Sequence, residues 1–164
     1  MVNGRDLLEI GCGEGHMFAG TSIRPVQMDV AMTRLRRVAP GARWLLCADA
    51  YALPFRSESF RMVLLMAVLE HTREPWRIVA EARRVLKPGG TTVIVVPNDV
   101  TMSTGRLILR KFPVRYPDHL TFATPGRVRR WLSGGFRVRE AFHLPIRQLP
   151  FAVNLYHFVV AERV

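Results

Sequence analysis

Three glycines spaced two apart, Gly11, Gly13 and Gly15, follow directly on an apolar run broken by a single acid, Leu7-Leu8-Glu9-Ile10. Such a run reads as a short buried strand whose last residues reach a ligand. Glycine has no Cβ, so the chain after it can turn sharply and lie close against a bound group. In a doubly wound sheet this turn sits outside the carboxyl end of the first strand, at the switch point where ligands bind. A dinucleotide fingerprint, G-x-G-x-x-G, is excluded because position 16 is His16. A second strand is expected over Ser22–Met28, closed by Asp29, which lies 18 residues after Gly11. A carboxylate at that distance can receive the two ribose hydroxyls of a nucleoside; alternatively it caps a helix over Ala31–Ala39.

The rest of the chain keeps alternating strand and helix signals, which predicts an α/β fold on a mostly parallel sheet. Pro40-Gly41 closes the Ala31–Ala39 helix, and Arg43–Cys47 reads as a short strand running into Ala48-Asp49-Ala50. Ser59–Met66 has the apolar continuity of a central strand. A helix is expected from Glu74 to Leu86, with Pro75 in its first turn and Ile78, Ala82, Val85 and Leu86 in one stripe. Pro88-Gly89-Gly90 stops it before a strand over Thr91–Val96. Thr124 and Pro125 open a helix that ends at Leu132, and Leu155–Glu162 is the last strand.

A chain of 164 residues suits one domain, 1–164. Its longest apolar run, Met62 to Leu69, is too short to span a membrane, and the amino end does not read as a signal peptide. Cys12 and Cys47 stand 35 residues apart with no CxxC and no zinc-ligand spacing. They read as packing residues in a reducing compartment, so a cytoplasmic protein and no metal are expected.

Taken in order, several landmarks resemble the class I S-adenosylmethionine-dependent methyltransferases, specifically the type-11 group that includes ubiquinone and menaquinone biosynthesis enzymes. They are Glu9 with the G-x-G-x-G turn, Asp49-Ala50, Leu53-Pro54-Phe55, Val68-Leu69-Glu70-His71, Arg84 to Gly90, Pro97-Asn98 and Asp118-His119-Leu120-Thr121-Phe122. The resemblance implies a Rossmann-like doubly wound sheet of seven strands, the last antiparallel, with helices on both faces. It implies S-adenosyl-L-methionine as cofactor and methyl transfer by direct in-line displacement to a small-molecule or lipid-like acceptor. Glu9 then helps hold the methionine ammonium, with Gly11, Cys12, Gly13 and Gly15 passing beneath. Asp29 takes the ribose hydroxyls, Asp49 and the Ala50 N–H meet the adenine, and Met66 and Ala67 line the sulfonium side, although Met66 suits plain core packing almost as well.

If the acceptor is a hydroxyl it must lose a proton, and His71 and His119 are the candidate bases. Either can equally be a hydrogen-bonding loop residue. Asn98 is the candidate for orienting the acceptor. Arg61 stands where the family usually has Asp, and the helix after Gly15 is short. The chain also starts six residues before the first strand, so the usual amino-terminal helices over the site are expected to be missing. Either the protein is then a minimal, open form, or a partner, a second copy or a missing segment supplies the lid.

Charge separates this chain from the family it resembles. The net charge is +11, and residues 101–164 hold 11 cations against 3 acids. Residues 105–116, containing Leu107, Ile108, Arg110, Lys111 and Phe112, interleave apolar and cationic side chains. They are expected to form a mobile flap that meets an anionic amphiphile or an acidic membrane surface, with Arg110 toward substrate; the plainer alternative is a solvated basic helix. Two further functions stay open. A nucleic-acid (RNA) methyltransferase fits the charge, although no base-methylating motif or RNA-binding module is present. A non-catalytic interaction protein on the same fold is the other.

Overall fold

The structure, a computed structural model, describes residues 6–38, 44–113 and 116–164. A seven-stranded sheet runs in the order β3-β2-β1-β4-β5-β7-β6. Its strands are β1 (Leu7–Ile10), β2 (Val26–Asp29), β3 (Trp44–Cys47), β4 (Phe60–Met66), β5 (Leu86–Pro97), β6 (Phe136–Leu144) and β7 (Tyr156–Arg163). β1 to β5 pair in parallel, while β7 is antiparallel to both β5 and β6. The chain leaves β1 toward β2 and β3, then returns to β4 on the other side, so the switch point falls between β1 and β4. The Rossmann-like sheet with its last strand antiparallel is as the sequence led us to expect.

The helices are α1 (Met32–Leu35), α2 (Pro75–Val85), α3 (Asp99–Ile108) and α4 (Pro125–Leu132). α2 and α4 pack beside one another, and their buried residues Ile78, Val79, Ala82, Val85, Val128 and Leu132 share one core with Leu8, Ile10, Val63, Leu65, Ile94 and Val159 from the sheet. Thr124 caps α4 by accepting from the Arg127 N–H at 3.4 Å, with Pro125 just inside the first turn.

Several expectations change in detail. The second strand is shorter than Ser22–Met28, beginning at Val26, because Pro25 has no N–H for the ladder; it includes Asp29. The helix after it is one turn, Met32–Leu35; Ala39 to Arg43 lie outside the described residues. The fifth strand starts at Leu86, pairs there with Phe60 and resumes at Thr91 with Met62, so Lys87 to Gly90 are a bulge rather than a separating loop. Two elements were not anticipated. α3 is hidden by poor helix formers in its sequence but is well capped: the Asn98 side chain accepts from the Val100 and Thr101 N–H groups. β6 is an exposed edge strand, and its charged residues mask the alternation.

The candidate active site

The glycine turn is fixed from below. The N–H groups of Gly11 and Cys12 both donate to the Met28 carbonyl, at 2.8 and 2.9 Å, so the end of β2 supports the loop after β1. Gly11 has φ +72°, and a Cβ there would lie 2.5 Å from Val68 Cγ2. Gly13 has φ +56°, and a Cβ there would meet open space, which leaves the backbone bare toward solvent above the sheet edge. Gly15 is buried beside Val38.

Glu9 and Gln27 are register partners on β1 and β2, and Gln27 Nε2 donates to Glu9 Oε2 at 2.7 Å. Burial pushes the Glu9 carboxyl above its ordinary range, and the Gln27 bond pulls partly back. Gln27 was missed in the sequence; the signal was a buried acid in need of a facing donor. Asp29 accepts from the Gly13 N–H at 2.9 Å and from the Ala31 N–H at 2.8 Å. It thus braces the glycine turn. It does not cap α1, whose N-cap is Ala31 without a side-chain bond. The capping alternative for Asp29 is therefore corrected.

Asp49 follows β3 on the same edge, its Oδ1 accepting from the Tyr51 N–H at 2.8 Å, and Ala50 is next to it. Met66 ends β4 half-buried, and Ala67 takes φ +54° there, a conformation a non-glycine residue adopts only where its surroundings enforce it. Glu9, Gly11, Cys12, Gly13, Gly15, Asp29, Asp49, Ala50, Met66 and Ala67 thus gather along the carboxyl ends of β1 to β4. Burial, with Glu9 and Asp29 nearby, pushes the Cys12 thiol up to about 12, which makes it a packing group rather than a thiolate. Both cysteines are free thiols.

A second cluster stands across the switch point. His71 follows β4 in a 3₁₀ turn, Leu69–His71. Its Nδ1 donates to the Asp118 carbonyl at 3.1 Å and lies 3.4 Å from the Asp118 carboxylate. A carbonyl only accepts, so Nδ1 is the donor of this pair, and in the neutral ring the lone pair falls on Nε2. The His119 ring lies edge-on to that of His71, centroids 4.9 Å apart, and its Nδ1 is 2.5 Å from Asp99 Oδ1. Tyr116 stacks on His119, centroids 4.9 Å apart, with the Arg106 guanidinium over the tyrosine. Glu70 lies beneath, and its carbonyl takes the N–H groups of Leu120 at 2.7 Å and Thr121 at 2.9 Å. Burial pushes the Glu70 carboxyl up to about 7. Sequence reasoning missed Glu70 and Asp99 as members of this cluster, because nothing local marks them.

Asn98 is placed differently from the other candidates. It is buried, and its side-chain N–H groups donate to Thr101 Oγ1 at 2.7 Å and to the carbonyls of Phe151 at 2.6 Å and Asn154 at 3.0 Å. Those bonds, with the α3 cap, engage both ends of the amide within the fold. Arg110 is exposed just past α3, at φ +52°.

The expected flap over 105–116 resolves into two parts: 105–108 continue α3, and Val114 and Arg115 lie outside the described residues. Its tip presents Ile108 and Phe112 at 75% exposure each, beside Arg110 and Lys111. A separate groove of about 710 Å³ between α2 and α4, with Arg73, Arg83, Arg130, Trp76 and Trp131 in its walls, contains none of the glycine-turn residues. No helix among the described residues is long and apolar enough to cross a membrane.

Residues 8–94, more than half the chain, match the type-11 methyltransferase domain family, and the chain belongs to that family. A probable S-adenosylmethionine-dependent methyltransferase of Mycolicibacterium smegmatis is 36% identical over 111 residues, which are 63% of this chain and 42% of the relative. The 27-O-demethylrifamycin SV methyltransferase of Amycolatopsis mediterranei is 34% identical over 99 residues, 53% of this chain and 36% of that enzyme. The chain therefore spans less than half the length of these curated relatives. Among solved structures, the cyclase SpnF superposes with TM-score 0.75 at 20% identity, over 99% of this chain and 76% of that one. A Haloferax volcanii methyltransferase solved with its activator Trm112 gives TM-score 0.74 at 18% identity, over 99% and 83%. These neighbours share the fold, and SpnF shows that the fold alone does not fix the reaction.

S-adenosylmethionine is the cofactor of this family, and the residues present suit it. A bare glycine backbone flanked by a buried acid on β1 and a second acid closing β2 answers a cationic amino acid joined to a ribose.

Proposed function

We propose that this domain transfers a methyl group from S-adenosylmethionine to a hydroxyl of a small or lipid-like acceptor. The observation that carries the reading is the juxtaposition of two unlike clusters at one switch point: the acid-flanked glycine turn after β1, and a histidine pair made by His71 after β4 and His119 ahead of α4. When bound, the cofactor supplies a methyl on a positively charged sulfur, an electrophile that needs alignment more than activation. Glu9 and Asp29 hold and orient it, Gly11 and Gly13 leave room for it, and Met66 and Ala67 limit water on the β4 side. His71, with its Nε2 lone pair turned away from Asp118, accepts the hydroxyl proton. Asp118 then stabilises the imidazolium, and His119 packs against the ring to hold its angle. Asn98 acts as a scaffold residue for α3 rather than as the residue that orients the acceptor.

The name of the Amycolatopsis relative refers to an O-methylation, which supports oxygen as the receiving atom. The exposed tip with Ile108, Phe112, Arg110 and Lys111 supports an amphiphilic acceptor with an anionic head, or an anionic membrane carrying it. Two free cysteines fit the reducing cytoplasm. The experiment is a titration of purified protein with S-adenosylmethionine, followed by mass-spectrometric detection of methyl transfer to a panel of hydroxyl, amine and carbon acceptors. Cofactor binding with transfer to hydroxyls alone is the expected result. Cofactor binding without transfer to any class would move the domain to the interaction-protein reading.

A further inference from the structure

We propose that Glu70, His71 and His119 form a divalent-metal site of the two-histidine, one-carboxylate kind. One potential ligand atom from each lies within 4.8 Å of the others. Tetrahedral zinc holds nitrogen and oxygen donors at about 2.0–2.2 Å, which sets them about 3.3 Å apart. The cluster is therefore an ångström or so wider than a loaded site, and the half-exposed His71 ring can swing inward to close it.

Three observations beyond proximity point to a cation. Glu70 is 1% exposed, yet its Oε2 has no hydrogen-bond partner. A buried carboxylate oxygen left so is costly, and a cation would satisfy it. Both histidines are held through Nδ1 by oxygen acceptors: His71 by the Asp118 carbonyl at 3.1 Å, and His119 by Asp99 at 2.5 Å. That arrangement, an oxygen on Nδ1 fixing the ring for coordination through Nε2, is how metal-ligating histidines are oriented and made more basic. Finally, the Glu70 carbonyl holds the backbone N–H groups of Leu120 and Thr121, so two distant segments are locked together by the main chain rather than by the ligands themselves. The backbone frame that carries the ligands is thus in place before any ion arrives, and only the His71 ring has to move.

Two imidazoles and one carboxylate suit zinc or another late first-row divalent ion. With three protein ligands a fourth position stays open, and an acceptor hydroxyl bound there would lose its proton to solvent more readily; the ion then replaces His71 as the activating group, because it occupies the Nε2 lone pair that otherwise takes the proton. That last role rests on reading this crevice as the acceptor site; metal binding itself does not.

The test uses the full chain, stripped with EDTA, desalted and titrated calorimetrically with zinc chloride alone, with a parallel titration by S-adenosylmethionine. One zinc per chain at micromolar or tighter affinity is expected. Glu70→Gln and His119→Gln should weaken it at least tenfold, and Asp99→Asn, which keeps every ligand, by about 10- to 100-fold. Cys47→Ser should leave it unchanged. Circular dichroism confirms folding, and cobalt substitution of the unaltered protein should give visible bands without sulfur charge transfer.

Absence of sub-millimolar zinc binding by the unaltered chain overturns the proposal, as does affinity that ignores Glu70→Gln and Asp99→Asn in folded protein. If S-adenosylmethionine binds and zinc does not, the metal site alone falls. The reverse result sinks the methyltransferase reading and keeps the metal.

Discussion

The two sides of the switch point are built in opposite ways. The cofactor side is nearly continuous in sequence: Glu9 to Gly15 supply a strand end and a turn, and the neighbouring strand adds Gln27 and Asp29 in register. The histidine side joins three separate segments, bringing Glu70 and His71 to Asp99 and to Asp118 and His119. The first is mostly backbone and tolerates little change of shape. The second is assembled mainly from ionisable side chains that distant segments bring together.

The largest expected effect separates the two sides most sharply. His71→Ala should lower kcat by roughly 10²–10⁴-fold while leaving S-adenosylmethionine affinity nearly unchanged. Steady-state kinetics with calorimetry on the same preparation checks this. A loss below tenfold would reduce His71 to a loop histidine and the contrast to one of packing.

Acid should also act unevenly. His157 on β7 is buried against His143, their Nδ1 atoms 3.1 Å apart, and burial depresses its pKa from 6.5 to about 4. A histidine kept neutral by the fold contributes stability that is complete above pH 6.5 and is lost as pH falls toward 4, because the unfolded chain takes up the proton first. The loss should approach about 3 kcal/mol over that window. Urea unfolding at a series of pH values measures it, and His157→Phe should flatten the slope. An unchanged slope in that variant assigns the acid sensitivity elsewhere.

Asp29→Ala probes the cofactor side. It removes the brace on the Gly13 N–H as well as the proposed ribose acceptor, and should weaken S-adenosylmethionine binding by about 1–3 kcal/mol. The thermal midpoint should fall only modestly. Equal affinity in a folded variant would refute the ribose assignment.

The smallest effect belongs to the exposed tip. Arg110→Ala and Lys111→Ala should each reduce binding to anionic vesicles by about 1 kcal/mol at low salt, with no effect on neutral vesicles. Flotation of the protein with both vesicle types decides it. Indifference to vesicle charge would leave the tip as a cover over the sheet end.

How much was legible in advance follows the same division. The glycine turn, Asp29, the Pro75 and Thr124-Pro125 helix starts and the β4 run are local signals, set by steric freedom, capping and apolar periodicity, and they fell where expected within a few residues. α3 was not legible, since its stability depends on the Asn98 side chain, which also ties the segment to Phe151 and Asn154. The edge strand β6 gains its order from pairing with β7, including the Arg139–Glu162 ion pair at 2.5 Å, while its own alternation is broken by charged residues and by a register shift between Val138 and Glu140.

The sequence by itself determined the parallel strands β1 to β5, the glycine turn and the family, because steric freedom at glycine and apolar periodicity are local properties of the chain. Only the tertiary structure decided that Asp29 braces the glycine turn, that Asn98 is spent on the scaffold, and that Glu70 and Asp99 flank the histidines. Each of those outcomes depends on which distant groups share a buried space, and a buried polar atom takes whichever partner the fold brings within about 3 Å.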